Sequence, residues 1–77
     1  METVKINLNQ TEKIKKFIQV ARSFDSDIDV STQTSHIDGK SIMGLFAIDL
    51  SNNTYAKILS NNPEECNTFI EKMKEFM

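Results

Sequence analysis

The sequence predicts a small α+β fold in the order βαββαβα, with one layer of helices on one sheet. Three observations predict it. The chain has 77 residues, 39% hydrophobic and 26% charged, the composition of an ordinary globular protein. Apolar residues alternate with polar ones at Val4, Ile6 and Leu8 and again at Ile28, Val30 and Thr32. Two longer segments instead carry apolar residues at helical spacing. A chain of this size buries only about 60% of the surface that its unfolded form exposes. It reads as a single domain spanning residues 1–77, without room for a second domain or a deep substrate cavity.

The elements follow in order. Val4, Ile6 and Leu8, separated by Lys5 and Asn7, form the first strand. Asn9-Gln10-Thr11-Glu12 reads as a capping box, with Asn9 as the cap and Glu12 three residues on. In the helix that follows, Ile14, Phe17, Ile18 and Ala21 make an apolar stripe, while Lys13, Lys15, Lys16, Gln19 and Arg22 lie largely off it. Asp25-Ser26-Asp27 breaks the helix, and Ile28 to Thr32 is the second strand. Gln33-Thr34 is the expected turn into a short strand around Ser35, His36 and Ile37. After the loop Asp38-Gly39-Lys40, Ser41 is placed to cap a short helix over the apolar run Ile42 to Ile48. Ser51-Asn52-Asn53 is a loop and Thr54 to Leu59 the last strand. Asn62 at the cap, Pro63 at the first helical position and Glu64-Glu65 in the first turn start a final helix with Cys66, Phe69, Met73 and Phe76 on one stripe.

Nine basic residues against eleven acidic give a net charge of −2 and no overall field for nucleic acid or an anionic membrane. Cys66 stands alone, so an internal disulfide is excluded, and with the single His36 it is too small a ligand set for a closed zinc site. No cofactor is implied. No apolar run approaches the roughly 20 residues that cross a bilayer, and Met1 is followed by Glu2 rather than by a basic, then apolar, leader. A cytoplasmic location is expected, without membrane insertion.

The second helix carries the most unusual pattern. At 100° per residue, Ile42, Met43 and Phe46 fall on one side and Leu45 and Ile48 on the other, so the helix is apolar nearly all round. So small a domain can hardly bury both sides, which leaves one as a candidate docking surface. Ser41 has two readings: a plain cap, or a cap whose phosphorylated form would be tolerated beside Lys40 and the free N–H groups.

Phe24-Asp25-Ser26-Asp27-Ile28 and Lys40-Ser41-Ile42-Met43-Gly44 resemble HPr, the histidine-containing phosphocarrier protein family of the bacterial phosphotransferase system. The two stretches keep the family's spacing without a gap, and Gln19 and Ala21 also match. The resemblance implies an HPr-like open-faced β-sandwich: a four-stranded antiparallel sheet covered on one face by three helices. It places the family's phosphorylated histidine at Gln10, its phosphate-steadying arginine at Glu12 and the next proline at Lys13. A carboxamide nitrogen has a delocalised lone pair and is no nucleophile near neutral pH, unlike imidazole. Glu12 moreover opposes an incoming phosphoryl group. The family's second site, the serine modified by HPr kinase/phosphorylase, falls on Ser41, and its partner-docking positions fall on Lys40, Ile42, Met43 and Phe46. Glutamine for histidine with the serine kept is the pattern of the catabolite-repression branch of the family, which retains the arginine and proline that are Glu12 and Lys13 here.

Other constellations are weaker. Asp25-Ser26-Asp27-Ile28-Asp29 imitates the opening of a calcium loop, but Val30 stands where glycine is needed and His36 where glutamate is needed. His36 reads as a half-exposed strand residue and Cys66 as core. The basic face of the first helix is either solvated or meets an acidic partner. The sequence therefore points to a non-enzymatic regulatory module that binds proteins, with HPr kinase/phosphorylase and a transcriptional regulator or phosphotransferase-system protein as partners. A phosphocarrier with an unusual site, and a degenerate domain that binds partners without phosphorylation, are the alternatives.

Overall fold

The computed structural model describes residues 1–33, 35–47 and 53–77, with the backbone alone at Ile42 and Ala47. The chain folds as β1 (Glu2–Ile6), α1 (Thr11–Arg22), β2 (Ile28–Ser31), β3 (His36–Asp38), α2 (Ile42–Ala47), β4 (Thr54–Ile58) and α3 (Pro63–Met73), closed by a 3₁₀ turn at Lys74–Phe76. The four strands form one sheet in the order β1-β4-β2-β3, every neighbouring pair antiparallel. This is the βαββαβα arrangement the sequence predicts.

Alternation fixes which side of the sheet is covered. Ile6, Ile28, Val30, Ala56 and Ile58 are buried on the helix side, while Lys5, Tyr55 and Lys57 point to the open side. The α1 stripe of Ile14, Phe17, Ile18 and Ala21 is buried as its spacing predicts. Phe17 meets Phe76 edge to face at 5.5 Å, and Phe24 meets Phe69 at 5.9 Å. These aromatic pairs tie α1 and the segment after it to the C-terminal end, each worth about 1 kcal/mol beyond the area it buries.

Three local expectations are corrected. The cap of α1 is Gln10, not Asn9, and its side chain makes no capping bond. Asn9 donates its N–H to Asn7 Oδ1 at 3.1 Å in a tight turn that delays the helix by one residue, so Glu12 is only two positions past the cap. Leu8 is buried but lies beyond β1, because Asn7 donates its N–H at 2.6 Å to the Phe76 carbonyl rather than to a strand. The last helix yields to the 3₁₀ turn after Met73, with Phe76 still buried. The start of that helix is as expected: Asn62 accepts from the backbone N–H groups of Glu64 and Glu65, and Pro63 occupies the first turn. Turn residue Thr34, the apolar Ile48 and loop residues Ser51 and Asn52 lie outside the described residues.

Candidate functional site

Two surfaces hold the residues singled out above. The first is the start of α1. Gln10 is exposed in extended backbone (φ −133°, ψ 143°), and its carbonyl accepts the first helical bond, from Ile14 N–H at 3.1 Å. Gln10, Glu12, Lys13 and Lys16 line a shallow cleft of about 250 Å³ with Glu75 and Phe76. Lys16 Nζ lies 3.5 Å from Glu75 Oε2, an exposed pair that contributes under about 1 kcal/mol. The lining holds carboxylates, ammonium groups and a carboxamide, but no imidazole, thiol or hydroxyl.

His36 lies elsewhere. It is exposed on β3, the edge of the sheet opposite β1, and pairs with Ser31 in the register that faces away from the helices. Three strand spacings of about 4.8 Å separate those edges. Cys66 is buried, and its thiol donates to the Ser60 carbonyl at 3.4 Å. Among the described residues no group of three His, Cys, Asp or Glu side chains is arranged to hold a metal.

The second surface is α2 with the loop before it. Ser41 caps the helix: its hydroxyl oxygen accepts from Gly44 N–H at 3.2 Å and its carbonyl from Leu45 N–H at 3.1 Å. Gly44 permits this closeness, since a Cβ there would stand 2.6 Å from Ile37 Cγ2 and 3.1 Å from Ser41 Oγ. Leu45 is completely buried, whereas Met43 is 82% exposed and Phe46 46% exposed. The two sides of this helix thus diverge as the sequence predicts; the side chain of Ile42 is outside the description. Lys40 is half-buried, and its ammonium donates to the Phe24 carbonyl at 2.8 Å. That bond ties the α2 loop to the end of α1.

A further cluster was not evident from sequence. Ser26, in the loop after α1, donates its hydroxyl to Glu65 Oε1 at 2.6 Å and its N–H to Oε2 at 3.3 Å. The Ser26 hydroxyl, together with that of Ser60, holds the Glu65 carboxyl below its ordinary value. The only signal in the sequence is a polar loop and an acidic helix start; their meeting is a tertiary event. A carboxyl whose proton affinity falls on folding stabilises the fold above its unfolded pKa, and that contribution is lost as pH falls through the folded value. Thermal melts from pH 6 down to pH 3 should therefore decline more steeply for the native chain than for Glu65→Gln. Parallel declines would show that the clamp is not linked to folding.

A search of solved structures finds the same fold in HPr proteins, two of which align over nearly the whole chain. HPr-C-His from Thermoanaerobacter tengcongensis aligns with a TM-score of 0.75 at 22% identity, covering 97% of this chain and 93% of that one. The phosphocarrier protein HPr from Bacillus anthracis str. Ames aligns with a TM-score of 0.62 at 21% identity, covering 95% and 94%. Comparison with curated protein sequences returns no significant match. The family model for the PTS HPr component phosphorylation site matches residues 10–77, from the cap of α1 onward. With a family match over most of the chain and the sheet order and helix layer of HPr structures, the protein belongs to the HPr family of the phosphotransferase system.

Proposed function

We propose that this chain is an HPr-family protein without phosphocarrier activity, acting in the cytoplasm as a regulatory module that partners read through α2. The observation that carries this reading is the pair Met43 and Phe46, exposed on a helix whose other side is anchored by fully buried Leu45. Met offers adaptable contact and Phe a large apolar area, the composition of a docking patch. At the start of α1, Gln10 and Glu12 stand where the family resemblance places histidine and arginine, and the cleft around them holds no imidazole in its place. HPr kinase/phosphorylase and a transcriptional regulator of catabolite repression, or another phosphotransferase-system protein, are the partners this reading assigns.

Ser41 is the regulatory position. Phosphoryl transfer from ATP forms the Oγ–P bond, breaks the bond from the γ-phosphorus to its bridging oxygen, releases ADP and passes the hydroxyl proton to the kinase. Incubation with HPr kinase and ATP should add one phosphate by intact mass, and Ser41→Ala should add none. Absence of modification by several such kinases, beside a control HPr that is modified, would remove the switch.

A further inference from the structure

We infer that Arg22, at the end of α1, is the intramolecular receptor for a phosphate on Ser41. This rests on the proposed modification and adds what holds the modified state. The Arg22 guanidinium reaches across from α1 and donates through Nη2 to the Lys40 carbonyl at 3.4 Å. That carbonyl belongs to the peptide bond leading into Ser41, so the guanidinium lies beside the backbone that carries the hydroxyl. The bond is long and uncharged at the acceptor, and among the described residues Arg22 enters no ion pair.

The neighbouring charges single out Arg22. Lys40 is nearer in sequence, but its ammonium is held by the Phe24 carbonyl at 2.8 Å. Asp38 is the adjacent acid, and its Oδ1 already accepts from Lys40 N–H at 2.9 Å. A phosphoserine dianion presents three strong acceptors, and guanidinium matches them with a bidentate, charge-assisted geometry that a neutral carbonyl cannot offer. Arg22 therefore exchanges the Lys40 carbonyl for the phosphate, and the α1–α2 junction tightens. Part of the new charge is neutralised on the protein itself, beside Met43 and Phe46, which changes what a partner meets there.

The test uses the full 77-residue chain made by chemical synthesis with phosphoserine at position 41, so that it does not depend on any kinase. The phosphate is titrated by ³¹P NMR and the chain is melted by circular dichroism. Free phosphoserine loses its second proton near pH 6. The native phosphorylated chain should titrate lower, and Arg22→Gln should raise that value by roughly half a unit or more. Arg22→Lys, which keeps the charge but not the fork, should fall between them, and Lys15→Gln, removing another exposed cation of α1, should leave it unmoved. Phosphorylation should also raise the melting temperature of the native chain by more than that of Arg22→Gln. Coincident titrations of native and Arg22→Gln chains, or an equal shift in Lys15→Gln, would overturn the inference. Failure of kinases to modify the unphosphorylated chain would instead count against Ser41 as a natural switch and leave this result standing.

Discussion

Replacing Met43 and Phe46 together by aspartate should lower kcat/KM for phosphorylation by HPr kinase by roughly 100-fold, about 1.4 kcal/mol of lost contact for each residue. Met43→Asp isolates the docking contribution. At 82% exposure the Met43 side chain gives little to the core, and an acid in the first turn of a helix is favourable. Its melting temperature should therefore match that of the native chain. Phe46 is 46% exposed, so its replacement removes some packing and is expected to cost about 1 kcal/mol. Leu45 supplies the contrast: it is fully buried, and Leu45→Ala should cost about 2–5 kcal/mol by opening a cavity under α2. Loss of recognition in Met43→Asp with unchanged melting separates docking from folding. A doubly substituted chain phosphorylated at the native rate would sink the α2 surface as the place where the kinase is met.

The legibility of these features follows the range of the forces behind them. The strands and the α1 stripe were readable because burial of Ile14, Phe17, Ile18 and Ala21 imposes a period on neighbouring residues. The start of α3 was readable because Asn62, Pro63, Glu64 and Glu65 satisfy the helix end locally. Exposure of Met43 and Phe46 followed from the shortage of interior in so short a chain. The start of α1 lies one residue later than its sequence pattern predicts because two arrangements compete there: a capping box at Asn9 and the turn in which Asn9 donates to Asn7. The turn coexists with the long-range bond from Asn7 N–H to the Phe76 carbonyl, 69 positions away by residue number (76 − 7), which no local pattern reveals. The Ser26–Glu65 clamp and the Arg22–Lys40 contact are hidden for the same reason, each joining segments that only the folded chain brings together.

The native chain should accept no phosphoryl group from enzyme I and labelled phosphoenolpyruvate, whereas Gln10→His with Glu12→Arg should acquire an acid-labile label. Gln10 is exposed and makes no side-chain capping bond, so histidine at this position disturbs no observed interaction. Its imidazole would add the missing lone pair at the head of α1, where the N–H groups of the first turn and the positive end of the helix favour an incoming anion. In the transfer, the N–P bond to the donor imidazole breaks as the new N–P bond forms, and the acceptor needs only its neutral ring nitrogen. Gln10→His alone should perform poorly. Glu12 lines the same cleft, and its carboxylate repels an incoming phosphoryl dianion. Arginine there converts that repulsion to attraction, so the double variant should exceed Gln10→His by at least about tenfold in rate. Ser41→Ala in the same background keeps any label at Ser41 from being mistaken for carriage through histidine. Label on a native chain bearing only Ser41→Ala would show that phosphoryl carriage survives without an imidazole at position 10, and its loss on His36→Ala would place it on the opposite edge of the sheet.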